Sequence, residues 1–127
     1  MKICVTSQGD NLDAQIDGRF GRCPKFIFVD PDTMEYEVID NPSANAMGGA
    51  GIQSGQLISS KGATLLMTGN IGPNAFQTLK AAGIETVTGQ RGTVKEAIER
   101  YKKGEVKPTD NPSVGSKFGM GGGRRMF

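Results

Sequence analysis

Two short strand-like runs, each handed on to a helix, constrain this chain more than any other feature. Thr64-Leu65-Leu66-Met67 is a continuous apolar run, the pattern of a strand buried on both faces in a parallel sheet. Ile84–Thr88 is another strand. The helix after the first run has Pro73 in its opening turn, where a missing N–H costs nothing. It then carries Ala75, Phe76, Leu79 and Ala82, and Gly83 ends it. The helix after the second run covers Val94–Lys103, with Thr93 as its cap and Glu96 three residues on, the spacing of a capping box. Two consecutive strand–helix units demand parallel neighbours joined by right-handed crossovers.

The first part of the chain adds an antiparallel portion. Lys2–Ser7 alternates and is rich in β-formers, and Lys25–Asp30 is a second strand. Pro31-Asp32-Thr33 makes a turn with proline preset for its second position, and Met34–Asp40 pairs back as a hairpin. A helix over Ala50–Lys61 follows, with Ile52, Leu57 and Ile58 on one face and Gly62 as its C-terminal cap. The order β-β-β-α-β-α-β-α predicts an α/β fold, a mixed five-stranded sheet flanked by helices. Ligands of such sheets sit beyond the carboxyl ends of the parallel strands. Three loops should meet there: the one after Ser7, the one after Met67, and Asn41–Gly49.

A chain of 127 residues predicts one domain, large enough to bury a core without disulfides. That domain spans residues 1–105. From Val106 the composition changes, and the run Gly115–Phe127 with its repeated Gly, Met and Arg cannot build a packed core. Residues 106–127 therefore read as a disordered tail. The tail also holds the charge surplus: residues 1–104 carry 11 basic and 11 acidic side chains, residues 105–127 four and two. A neutral body excludes the basic face of a nucleic-acid-binding domain. No stretch approaches the roughly 18 apolar residues of a membrane span, and no signal peptide opens the chain. Cys4 and Cys23 form no CxxC pair, which suits reduced thiols and a cytoplasmic protein.

The chemistry concentrates in Asp17-Gly18-Arg19-Phe20-Gly21-Arg22-Cys23-Pro24. This segment closes a loop of about 16 residues, long enough to mark it as functional. Arg19 and Arg22 can both point at one anion through charge-assisted hydrogen bonds. The alternative is that each is solvated or paired with Asp10, Asp13 or Asp17, and surface pairs constrain little. Cys23 has two readings: a thiolate favoured by Arg22 that binds metal, or a small buried residue at the start of a strand. Cys4, in mid-strand, reads as core.

Met47-Gly48-Gly49-Ala50-Gly51 opens the first helix, and Gly69-Asn70-Ile71-Gly72 opens the second. Free N–H groups and the helix dipole make such ends suited to anions; plain turn chemistry is the competing reading. Neither segment has the P-loop or dinucleotide fingerprint. The chain contains no histidine, which removes imidazole general-base chemistry and histidine-ligated metal. There is no GxSxG elbow, and strand one carries no acid of the kind a two-magnesium nuclease needs. Asp10, Asp13 and Asp17 read as solvated loop carboxylates.

These residues resemble the dinitrogenase iron–molybdenum cofactor biosynthesis family, the small NifX/NafY-like domains. The resemblance rests on Met1-Lys2-Ile3, on Leu12-Asp13 ahead of Asp17–Phe26, and on Asp40-Asn41-Pro42. It continues through Gly69–Ala75 and Gly92-Thr93-Val94, so that it covers roughly residues 1–105. It implies a ribonuclease-H-like topology and a carrier or assembly role for a metal–sulfur cluster rather than catalysis. The chain is similar to the stand-alone, orange-protein-like forms, which hold a mixed molybdenum–copper sulfide cluster non-covalently. Some members ligate their cofactor through histidine, and this chain departs from them. An anionic molybdenum-containing cluster, of Mo–Cu sulfide or Fe–Mo type, held by arginines and backbone N–H groups fits the residues better.

The site expected on this reading comprises Ser7, Arg19, Phe20, Arg22, Met47, Gly48, Gly49, Ala50, Gly69, Asn70, Ile71 and Gly72. Phe20 would shield the cluster from water, and Cys23 or Met47 would supply a sulfur ligand. Two other classes compete with it. One is an interaction module whose tail binds a partner such as a cluster-assembly ATPase. The other is an enzyme acting on a small phosphorylated substrate.

Overall fold

Strand β1 (Ile3–Ser7) has partners on both of its edges, and all five of its residues are buried. The structure, a computed structural model, describes residues 1–44, 49–109 and 112. On one side β1 pairs antiparallel with β2 (Lys25–Val29), which pairs antiparallel with β3 (Tyr36–Asp40). On the other it pairs parallel with β4 (Leu65–Met67), and β4 pairs parallel with β5 (Glu85–Val87). The sheet order is β3-β2-β1-β4-β5. Helices α1 (Ala50–Ser60), α2 (Pro73–Ala81) and α3 (Val94–Lys102) complete the expected order of elements. Among the described residues no helix is long and apolar enough to cross a membrane.

Side chains alternate across a strand, so the sheet builds one core on each face. Cys4, Phe26, Phe28 and Leu66 face Ile58 of α1 and Ala75, Phe76 and Leu79 of α2. Ile3, Val5, Ile27, Val29, Leu65 and Met67 face Val94, Ala97 and Ile98 of α3. Full burial of a side chain such as Phe26 or Ile27 contributes about 1.5–3 kcal/mol.

Two local expectations fail for physical reasons. The strand expected from Met34 begins at Tyr36. Met34 adopts a left-handed φ of 63° and donates its N–H to the carbonyl of Asp30 at 2.7 Å, so it belongs to the turn. In α1, Ile52 is exposed; the buried face is Ala50, Ser54, Gly55 and Ile58. Small residues are needed there because α1 lies very close to α2. A Cβ on Gly51 would stand 2.8 Å from the Cβ of Ala75, and one on Gly55 would stand 3.0 Å from Thr78 Cγ2.

The helix ends follow their sequence signals. Gly62 takes φ 86° after α1, which lets Ala63 N–H return to the carbonyl of Ile58 at 3.2 Å. At α3 the capping box is complete: Thr93 Oγ1 accepts from Glu96 N–H at 3.1 Å, and Glu96 Oε1 accepts from Thr93 N–H at 2.8 Å. Beyond α3 the chain runs back to β5. Val106 packs against the second core, Thr109 N–H donates to the carbonyl of Thr86 at 2.6 Å, and Thr88 N–H donates to Thr109 Oγ1 at 3.1 Å. Most of the expected tail, residues 110–111 and 113–127, lies outside the described residues.

Candidate functional site

The carboxyl ends of β1 and β4 lie side by side, and Thr6 of β1 and Thr68, just after β4, form the floor between them. Thr6 and Thr68 are fully buried, with their hydroxyls hydrogen-bonded at 2.9 Å. Thr6 Oγ1 donates to the carbonyl of Asp17 at 2.7 Å, and Asp17 N–H donates to the carbonyl of Thr6 at 3.0 Å. The loop after β1 is thereby anchored where the two strands stop. It continues against the exit loop of β4: Asn70 N–H donates to Gly18 O at 2.8 Å, and Phe20 N–H donates to Asn70 O at 3.1 Å. This is a parallel bridge between Arg19 and Asn70.

Next the chain turns. Arg22 N–H donates to the carbonyl of Arg19 at 3.1 Å, and Gly21 takes φ 96°, a conformation that type II turns assign to glycine at this place. Closing the turn draws the Cα atoms of Arg19 and Arg22 to within about 7 Å. Both arginine side chains are exposed, whereas Phe20 and Cys23 point into the first core. Two guanidiniums thus stand on one short turn with an apolar footing beneath it.

Helix starts adjoin this turn. A Cβ on Gly21 would lie 3.0 Å from the backbone N and Cα of Gly51, so the turn rests on the first turn of α1. Gly51 in turn touches Ala75 in the first turn of α2. Neither α1, capped by Gly49, nor α2, capped by Gly72, has a side-chain cap hydrogen bond or an acidic residue in its first turn. Among the described residues, no side-chain cap or first-turn carboxylate offsets their positive ends. The α3 start, with Thr93 and Glu96, is self-satisfied.

Electrostatics at the turn centre on Asp17, which sequence reasoning placed in solvent. It is buried and binds Arg19 three ways: backbone N–H to Oδ1 at 2.8 Å, Nε–H to Oδ1 at 3.2 Å, and Nη2–H to Oδ2 at 3.1 Å. Asp17 raises the pKa of Arg19, first by hydrogen bonding and then by charge. Of the readings open for Arg19, pairing with Asp17 is realised, yet its side chain remains 68% exposed. Arg22 Nη1–H donates to the carbonyl of Ala44 at 3.3 Å, tying the turn to the loop after β3. Asn41 reinforces that link: its Nδ2 donates to the carbonyls of Gly21 at 3.0 Å and Cys23 at 2.9 Å, while its Oδ1 accepts from Ser43 N–H at 2.9 Å.

The structure sorts the expected site residues. It brings together Arg19, Arg22, Ala50, Gly69 and Asn70, with Gly49 and Gly72 as the caps of α1 and α2. Ser7 instead forms a small turn, its hydroxyl accepting from Gly9 N–H at 3.1 Å. Phe20 packs into the core, 6.1 Å from Phe26 between ring centroids, and Ile71 is 1% exposed. The N–H of Asn70 is committed to Gly18. Burial, followed by the charge of Asp17, pushes the Cys23 thiol up to about 12, so at neutral pH it is a protonated core residue. Met47 and Gly48 lie outside the described residues. Asp17, Thr6, Thr68 and Asn41 were not singled out as site residues. Asp17 and Asn41 each accept from the N–H two residues on, the local turn favoured by Asp and Asn, but Asn11 and Asp30 do the same in exposed turns, so that signal does not single them out.

Among the described residues no group of three or more His, Cys, Asp or Glu side chains could hold a metal ion. The donors present are guanidinium N–H groups and helix ends, which suit an anion held by hydrogen bonds and charge.

Comparison with known proteins agrees with this architecture. The apo form of the orange protein from Desulfovibrio gigas superposes with a TM-score of 0.85 at 41% identity, covering 87% of this chain and 94% of that one. A Thermotoga protein solved by NMR and placed in the DUF35 family gives a TM-score of 0.73 at 36% identity, over 84% and 91% of the two chains. An uncharacterized protein of Methanocaldococcus jannaschii is 31% identical over 109 residues, 84% of this chain and 89% of the relative. The family model described as dinitrogenase iron-molybdenum cofactor matches residues 1–104, and the chain belongs to that family.

Proposed function

We propose that this protein is a non-catalytic carrier for an anionic, molybdenum-containing metal–sulfur cluster, of Mo–Cu sulfide or Fe–Mo type, in cluster assembly or storage. One observation carries the reading. The Arg19–Arg22 turn packs on the first turn of α1, which packs on the first turn of α2, and among the described residues neither helix start has a side-chain cap or a first-turn acid. Positive charge and directed N–H donors therefore gather at one end of the sheet. Such a surface suits a bulky anion whose sulfides are weak, spread-out acceptors. The cluster would be held without coordinate bonds, by Arg19, Arg22 and the N–H groups at the starts of α1 and α2. Cys23 and Phe20 would serve as the apolar support beneath. Membership in the iron–molybdenum cofactor family and likeness to the orange protein support the choice of cargo. Two buried free thiols suit a reducing, cytoplasmic setting.

Anaerobic titration with tetrathiomolybdate and cuprous ion tests the proposal. The wild-type protein should develop a visible charge-transfer band that saturates and stays with the protein through gel filtration. Arg19→Ala/Arg22→Ala should lose it. No band, or an unchanged band in the double variant, contradicts the reading.

A further inference from the structure

A surface arginine normally samples many rotamers, and ordering one costs side-chain entropy. Arg19 is restrained although its side chain is 68% exposed. The carboxylate that holds it is only 2% exposed and meets the guanidinium side-on, Nε–H to one oxygen and Nη2–H to the other. Two parallel bonds fix the plane of the guanidinium as well as its position. They occupy one edge of the fork and leave the donors of the other edge pointing away from Asp17.

Asp17 is itself tied to the sheet. Thr6 holds its backbone on both sides, through its carbonyl and its hydroxyl, and Thr68 backs Thr6. Gly18, immediately after it, is wedged against Gly69: a Cβ on Gly69 would come within 2.6 Å of Gly18 Cα. The chain of restraint runs from the sheet through Asp17 to a guanidinium at the site surface.

Taking the cluster-binding reading of this site as its premise, we infer that Asp17 is a positioning residue that acts through Arg19, presenting the outer edge of the guanidinium to the bound anion in a fixed plane. Because Asp17 offsets the charge of its partner, Arg19 serves mainly through directed N–H donors. Lysine, a point charge with freely rotating donors, cannot replace it.

The test uses the full chain as wild type, Asp17→Asn, Arg19→Lys and the double variant. Each is titrated anaerobically with tetrathiomolybdate and cuprous ion, and the Arg19 side-chain Nε–H is followed by NMR in the ligand-free protein. The inference expects a separate, exchange-protected Nε–H in the wild type that is lost in Asp17→Asn. It expects affinity to fall about 10–100-fold in either single variant, with no further loss in the double variant, because both remove the same interaction. A wild-type Arg19 Nε–H that exchanges as fast as free arginine overturns the inference without reference to any cluster. That measurement stands even if Asp17→Asn folds poorly, as does the Arg19→Lys titration. Additive losses in the double variant, or unaltered uptake by Asp17→Asn, overturn the role of Asp17 while leaving the carrier reading intact. No uptake by the wild type overturns that reading, and the role of Asp17 with it.

Discussion

Gly69 and Gly18 touch so closely that a single methyl group has no place between them: a Cβ on Gly69 would lie 2.6 Å from Gly18 Cα and 3.1 Å from its carbonyl oxygen. The obstacle is backbone, which cannot swing aside as a side-chain tip can. Gly69→Ala should therefore push the arginine loop off the end of β4. It should cost about 1–3 kcal/mol, the usual penalty of overpacking, read as a lower urea midpoint. Gly49→Ala, where a Cβ meets nothing within 4 Å but φ is 72°, should cost less, about 1 kcal/mol.

Asn41 joins three segments from a buried position: its own loop, the Gly21–Cys23 turn, whose two carbonyls share Nδ2, and α1, whose Ser54 hydroxyl donates to Oδ1 at 3.4 Å. Removing it in Asn41→Ala leaves both carbonyls without that donor. A destabilisation of about 2–6 kcal/mol is expected, from about 1–3 kcal/mol for each of the two unsatisfied buried groups. Asn41→Asp should be worse at neutral pH, because it sets a carboxylate against two carbonyl oxygens. Chemical denaturation of the two variants checks the order.

The two buried thiols set an alkaline limit. Burial, and then the charge of Asp17, raises the Cys23 pKa from 9.0 to about 12. Burial, and then Cys23, raises Cys4 well above the same value. The unfolded chain releases both protons near pH 9, while the folded chain retains them. The native state therefore binds more protons, and stability falls as pH rises from about 9 toward 12, by roughly 1.4 kcal/mol per pH unit for each thiol. Below about pH 9 this contribution is constant. Urea unfolding of the wild type and of Cys4→Ala/Cys23→Ala across this range should show a shallower decline in the variant. Equal slopes would place the alkaline loss elsewhere.

Truncation separates the carrier from the interaction module weighed against it. Val106 and Thr109 pack against the domain, so the cut belongs after Thr109. A chain ending there should take up tetrathiomolybdate and copper with unchanged affinity. Loss of uptake would show that residues 110–127 contribute to the site.

The order of elements was readable because local signals agreed with one another. Thr64–Met67 was too short and apolar to be a surface helix, Ile84–Thr88 was short and rich in β-branched residues, and Pro73, Gly83 and the Thr93/Glu96 pair marked where each helix starts or stops. What failed was the facing of α1. Ile52 looked like a core residue, but contact between α1 and α2 depends on Gly51 and Gly55, and close helix approach leaves no hydrophobic stripe in the sequence.

The site was partly legible. Arg19 and Arg22 stood out by residue type, and the topology placed them beside two glycine-opened helices. The identity of the buried acid did not show, because Asp10, Asp13 and Asp17 are alike in a loop without periodicity; only the bonds from Thr6 select Asp17. Phe20 was assigned a role against the cluster and Cys23 was left between ligand and buried residue; the turn closed by Gly21 sends both inward, which selects the buried reading of Cys23, and leaves the arginines outside.

The most direct measurement is metal and acid-labile sulfide analysis of the protein purified without air from its native host, beside Arg19→Ala/Arg22→Ala prepared in the same way. The account predicts molybdenum and sulfide bound to the wild type in fixed ratio to protein, and their loss from a folded double variant. Wild-type protein free of molybdenum and sulfide, or a double variant that retains them in full, would contradict it.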